Sequence, residues 1–404
     1  MGFERRRWIY LFSGMLIELC AGLPYSWSVF QNLLAEKYQW STAGTAGAYS
    51  FSSICMIAFS LLAATPLMNR IGLSRFLALG GLIYAVGTVG CGLIQGSLAE
   101  LYLYYGVCIG VGTAILYPTL TSYAVRLFPD RPGLASGVMV GGYGCGPFVI
   151  APLLAKVHGI TGDISKAFLP LGILFALVIL PLSLLLREPP EGWGNGVHGQ
   201  SEQEQAQNSK TGVSGKSILR HGLFYLVYAT FALAIANGTM LVTQASPILR
   251  DRFYISVAAA ANIVGGISIS NTVGRLLWGG ISDRIGLSRS TVMIHVAMLV
   301  GFGLLLIGNL WLSIGAMLLC VFCFGGASTL LAPCTAQAFG PDQLKQNYPI
   351  MFSVFGLAGI LGPVVCTNLG HGSAFLAGTV AAAGGVAVSV MYHKIEVRMD
   401  AEAG

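Results

Sequence analysis

Arg275 stands inside an apolar run, where a charge is hard to keep. Its guanidinium does not give up its proton, and holding it near a bilayer centre costs about 2.5–3.5 kcal/mol. It precedes Asp283 by eight residues, which puts it about 12 Å into the membrane along a helix. Asn271 comes one helical turn earlier and shares its face. A forked cation beside an amide suits a carboxylate held by two parallel bonds; a structural ion pair with Glu18 is the alternative. Glu18 is itself about 15 Å deep in the first apolar run. Three roles are open to its carboxyl: partner of Arg275, proton carrier, or an interhelical hydrogen-bonding group kept protonated by burial. Glu18 lies one heptad before Tyr25, so the two point in much the same direction.

Neutral groups extend the pattern. Thr113, Tyr117 and Thr121 recur every four residues as a polar stripe, and Tyr117 can donate its phenolic hydrogen to a carboxylate. Small polar residues also mediate helix packing in membranes, which is the alternative explanation of the stripe. Tyr143 in "GGYGCGP" sits among glycines and suits a binding role or a close helix approach equally. Tyr348, Phe352 and Phe355 fall at i, i+4 and i+7, an aromatic face for an apolar tail or for a neighbouring helix.

The elements that must position these residues follow from composition. Of the 404 residues, 55% are hydrophobic and 9% charged, against roughly 25% charged in a soluble domain. Twelve apolar runs, at about 8–30, 43–67, 76–95, 99–127, 133–156, 165–186, 221–248, 256–281, 290–309, 311–338, 348–369 and 373–393, are each long enough to cross ~30 Å of hydrocarbon as a helix. The first run leads directly into the next without a small-residue cleavage site, unlike a removable signal peptide. Sixteen of the 22 Lys and Arg fall on the side of both termini, five on the other, and Arg275 is left within a span. That split places both termini in the cytoplasm and accounts for the net charge of +6 without nucleic acid.

The nine cysteines are scattered through the apolar runs, and Cys320 and Cys323 lie within a span as packing residues, with no second pair to complete a metal site. No metal or cofactor is expected. Of six histidines only His295 falls within a span, so no His, Asp and Glu cluster suggests an enzyme. The polar stretch 188–217 predicts a flexible cytoplasmic linker between halves 1–187 and 218–404. A duplication supports the halves: "RIGLSR" occurs at Arg70–Arg75 and Arg284–Arg289, Gly22 matches Gly238, and Gly110 and Pro118 match Gly325 and Pro333, all at offsets of 214 to 216. In this register Arg275 aligns with Leu61 and Asp283 with Asn69.

"WGGISDRIGLSR" (Trp278–Arg289) resembles the Gly-x-x-x-Asp-Arg-x-Gly-x-x-Arg loop of the major facilitator superfamily. The resemblance implies an all-α membrane fold of 12 transmembrane helices in two six-helix bundles related by pseudo-twofold symmetry, working by alternating access. Gly279, Asp283 and Arg284, with Asn69 and Arg70 as first-half counterparts, then form gating loops. Asp283 can accept from backbone N–H groups at the N-terminus of the fifth helix, whereas Asn69 carries no charge, so the two latches should differ in strength.

"YSWS" (Tyr25–Ser28), "LFPDRPGLASG" (Leu127–Gly137), "GGYGCG" (Gly141–Gly146), "NTVGRLLWG" (Asn271–Gly279), "FGGASTLLAP" (Phe324–Pro333) and "NYPIMFSVFG" (Asn347–Gly356) resemble the branch of oxalate:formate antiporters and monocarboxylate transporters. By that resemblance Arg275 binds the substrate carboxylate, with Tyr25, Tyr117 and Phe324 around it. Oxalate-exchanging members carry a lysine where this chain has Phe355. One fixed cation balances one carboxylate, and a second charge in a low-dielectric site is costly. The expectation is a plasma-membrane, monomeric carrier of a small monocarboxylate of the lactate or pyruvate kind, coupled to a proton at Glu18, with the lipid bilayer and substrate as its partners. A carboxylate exchanger and a non-transporting carboxylate sensor are the alternatives.

Overall fold

The computed structural model describes residues 3–190, 192–193 and 215–403. Among them, ten helices are long and apolar enough to cross a membrane, from Phe3–Ser26 to Gly372–Arg398. The eighth expected span corresponds to the helix Val257–Ile285. The eleventh corresponds to the first limb of Leu344–Ala403, which breaks from the second limb at Gly370 with φ 73 and ψ 162. Outward side chains such as Leu62, Ile160, Leu177 and Val380 are exposed, as suits a lipid-facing surface.

Two compact units emerge: Met1–Leu127 with Met139–Trp193, and Phe128–Val138 with Gly194–Gly404. Most of the linker expected at 188–217 lies outside the described residues. The short stretch Phe128–Val138 belongs with the second unit although the sequence boundary assigns it to the first half. Its contacts give the reason. Gly133 packs backbone to backbone on Gly279, so that a Cβ on either would come within 2.4 Å of the other's carbonyl oxygen. Ser136 donates to the carbonyl of Thr329 at 2.6 Å.

Helix ends obey local rules. Ser41 and Ser256 cap the helices that follow by accepting from Gly44 and Ala259, and the Asn309 side chain accepts from Trp311 and Leu312. Both copies of "RIGLSR" turn at their glycine. Gly72 has φ 79 and Gly286 φ 94, left-handed values that favour glycine, and each donates its N–H back to the preceding helix at 2.9 Å.

Three spans are less regular than their apolar composition suggests. The first is helical over Phe3–Ala21, passes through a 3₁₀ turn at Leu23–Ser26, and resumes over Trp27–Tyr38. Tyr84 donates its phenol to the Ala21 carbonyl at 2.8 Å, satisfying an acceptor that the break leaves over. The second and fourth spans contain π-helical stretches at Ser60–Ala64 and Tyr102–Ile109.

One end of the first unit is tied by charge. Lys37 reaches both carboxylate oxygens of Asp163 and the Ser165 hydroxyl, each at 2.8 Å. Partial burial alone would lower the Lys37 pKa, but the bonds with Asp163 and Tyr38 outweigh it and raise the value. Burial alone would raise Asp163, and the bonds to Lys37 and Ser165 reverse that too, leaving it below the usual carboxylate value. The pair therefore stabilises fully between the ordinary Asp and Lys values, about 4 and about 10.4. That contribution fades as pH falls through the depressed Asp163 value or rises through the raised Lys37 value. Asp163→Asn is expected to lower the melting temperature in detergent at pH 7 by the equivalent of about 0.2–1 kcal/mol. Equal melting of wild type and variant at pH 7 would contradict this account.

Candidate functional site

The expected site residues fall into two groups, one in each unit. In the first unit, Tyr25 meets Tyr143 edge to face at 5.0 Å and 84°, and Tyr117 meets Tyr143 at 4.9 Å and 89°. Three tyrosines from the first, fourth and fifth spans thus form one T-shaped trio with Tyr143 at its centre, a favoured ring geometry. Glycines make the approach feasible: a Cβ on Gly22 would lie 2.4 Å from the Tyr143 carbonyl and 2.9 Å from the Gly146 Cα. Tyr117 and Tyr143 are buried, and Tyr25 is the member that keeps an exposed edge.

Glu18 is fully buried and lies within electrostatic reach of the Tyr84 and Tyr143 phenols. The shared-face expectation for Glu18 and Tyr25 needs correcting in its premise, because the helix breaks at Gly22 between them. Thr121 turns its hydroxyl back to the Tyr117 carbonyl at 2.8 Å. Thr113 is buried with no partner for its hydroxyl among the described residues.

In the second unit, Arg275 is 0% exposed and its Nε donates to the Asn271 Oδ1 over a long 3.4 Å. The backbone of this turn is held closely. Thr329 donates to the Arg275 carbonyl at 3.1 Å. A Cβ on Gly325 would lie 2.2 Å from the Asn271 carbonyl, and one on Gly274 would lie 2.1 Å from the Phe322 carbonyl. The eighth and tenth spans therefore meet backbone to backbone at the height of the guanidinium. Phe324, the residue before Gly325, lays its ring over Gly238 of the seventh span, where a Cβ would come within 2.2 Å. Gly22 and Gly238, aligned by the duplication, thus serve different contacts. Tyr348, Phe352 and Phe355 form a chain of rings, with centroids 6.1 and 5.1 Å apart.

The residues expected to form the gating loops separate as well. Asp283 accepts from the N–H groups of Gly133 and Leu134 at 2.8 Å each, the first turn of the helix that begins at Pro132. Arg284, Asn69 and Arg70 are exposed, and Asn69 makes no side-chain hydrogen bond among the described residues. Cys320 and Cys323 are buried free thiols; Cys320 fills the space over Gly301. Sequence reasoning passed over Tyr84, whose hydroxyl completes the broken first span. The one clue was Pro24, which weakens the helix around it.

Helices long and apolar enough to cross a membrane, an internal duplication, and an Asp283 carboxylate bonded at a helix N-terminus describe a polytopic membrane protein. The chain belongs to the Major Facilitator Superfamily, whose family match covers residues 9–363. It is 26% identical to the oxalate:formate antiporter of Oxalobacter formigenes over 388 residues, covering 93% of this chain and 88% of that one. It is 22% identical to apicoplast pyruvate carrier 1 of Toxoplasma gondii, covering 86% and 81%. Among solved structures, the proton:xylose symporter XylE is similar in fold, with a TM-score of 0.74 at 15% identity and 95% coverage of both chains.

Proposed function

We propose that this transporter carries a small monocarboxylate of the lactate or pyruvate class, coupled to a proton, across a plasma membrane with both termini in the cytoplasm. The observation that carries the reading is Arg275: fully buried, braced through its own backbone, and with Asn271 beside its fork. A guanidinium in that setting suits a planar two-oxygen anion. Asn271 and Tyr117 orient the carboxylate, with Tyr25 and Tyr143 as the remaining polar aromatics. Phe324 and Phe355 take the apolar end of the substrate. Glu18 is the proton site, the carboxyl buried in the first span beside the tyrosine trio. The aromatic run Tyr348–Phe352–Phe355 holds no second cation, which favours one negative charge on the substrate. The chain works as a monomer in this reading.

Uptake of labelled pyruvate and lactate into vesicles holding the purified chain tests the proposal. Unlabelled monocarboxylates are expected to compete at least about tenfold better than oxalate, and an inward proton gradient should accelerate net uptake. Competition by oxalate equal to that by pyruvate would refute the single-charge assignment. Carboxylate exchange is the second reading, favoured by the 26% identity to the oxalate:formate antiporter. It predicts acceleration by internal carboxylate and indifference to the pH gradient.

A further inference from the structure

Tyr105 belongs to the fourth span, within the stretch Tyr102–Ile109 that winds as a π-helix. Such stretches are rare and occur frequently at functional sites. The Tyr105 ring is completely buried, 4.2 Å from Trp27 and 6.0 Å from Phe30 between centroids. Trp27 in turn meets Tyr49 at 6.2 Å. Among the described residues the Tyr105 phenol has no hydrogen-bond partner. The hydroxyl of Ser26, the residue next to Trp27, is also buried and has no partner among the described residues. Leaving a buried hydroxyl unbonded costs about 1–3 kcal/mol. Phenylalanine and alanine would fill these two places without that penalty.

We propose that Tyr105 and Ser26 form a second, transient carboxylate subsite, lined by Trp27, Phe30 and Tyr49. It rests on the reading of the chain as a monocarboxylate transporter and adds a stop on the substrate's route. Tyr105 lies roughly 15–18 Å along the fourth span from Tyr117, towards the end of the first unit that carries Lys37 and Asp163. The charge count assigns that end to the outside. Two neutral O–H donors hold one anion more weakly than a guanidinium does. Weak holding is what a stop requires, because a site on a path must release its ligand onward. The aromatic walls accept a short apolar tail and offer nothing to a second carboxylate.

The test uses the full chain in whole cells, with labelled pyruvate supplied from outside. Tyr105→Phe keeps the ring and removes only the hydroxyl; Ser26→Ala does the same for the second donor. Each is expected to raise the KM for uptake about three- to tenfold with the maximal rate within twofold of wild type. The double variant should be weaker than either single one. Both variants should melt in detergent at or above the wild-type temperature, since each removes an unbonded hydroxyl. Wild-type KM in both variants overturns the proposal while leaving the transport assignment intact, provided wild type itself takes up pyruvate. A lowered maximal rate and lowered melting temperature with unchanged KM also overturns it, assigning the hydroxyls to packing. A folded wild-type chain that carries no monocarboxylate defeats both the subsite and the reading it rests on.

Discussion

Arg275→Ala is expected to reduce pyruvate uptake by at least about a hundredfold, and Arg275→Lys to recover little of it. Hydrogen bonds involving a charged group contribute about 1.5–3 kcal/mol each, so losing a two-bond clamp removes about 3 kcal/mol or more, a factor above one hundred. Lysine retains the charge but not the planar fork, and presents a point donor on a different reach. Alanine also leaves the Asn271 side chain without the Nε–H that it accepts at 3.4 Å. Initial rates in vesicles, normalised to folded protein, give the measurement. Substrate-induced thermal stabilisation provides a second readout, expected in wild type and absent in both variants. Uptake by Arg275→Ala within about threefold of wild type would remove the guanidinium from the binding machinery.

The second large effect is expected from a methyl group. In Gly325→Ala the new Cβ would stand 2.2 Å from the Asn271 carbonyl and 2.9 Å from the Arg275 nitrogen, a backbone contact that no rotamer change relieves. The tenth span must back away from the eighth, at a cost of about 1–3 kcal/mol for overpacking. The displaced backbone is the one that aims the guanidinium. Gly325→Ala should therefore lower both the melting temperature and uptake, the latter by about tenfold or more, and Gly325→Leu should abolish uptake. Gly265, on the same eighth span, has nothing within 4 Å of its Cβ position. Gly265→Ala should leave uptake unchanged and gain up to about 0.5–1 kcal/mol from helix propensity. Equal behaviour of the two alanine variants would show that the close contact at Gly325 is not what holds the site.

Much of this architecture was legible in the residues because the membrane simplifies the reading. Apolar runs of sufficient length have few alternatives to helix in hydrocarbon, where each backbone group must find its partner within the segment. Arg275 and Asn271 were legible as a pair because one turn of helix fixes their shared face. The Asp283 contact with the Pro132 helix followed from a carboxylate near a helix N-terminus. The tyrosine trio was only half legible: Tyr25, Tyr117 and Tyr143 were identifiable as candidates, but their ring contacts depend on how close three spans approach. The backbone irregularities were not legible. A π-helical register at Tyr102–Ile109 leaves no mark in apolar composition, and neither does the passage of Phe128–Val138 to the second unit. Trp27 and Tyr105 accordingly went unnoticed, because the contact between them comes from packing across spans.

The broken first span has a consequence for how such a protein can diversify. In a continuous helix, inserting one residue between Glu18 and Tyr25 would turn everything beyond it by about 100°. Gly22 and the 3₁₀ turn that follows interrupt that rigid transmission, with the Ala21 carbonyl held separately by Tyr84. A length change at the turn can be absorbed there, leaving the acid on one limb in place while the aromatic on the other is re-aimed. The two limbs are thus open to selection as separate characters, one carrying Glu18 and the other Tyr25.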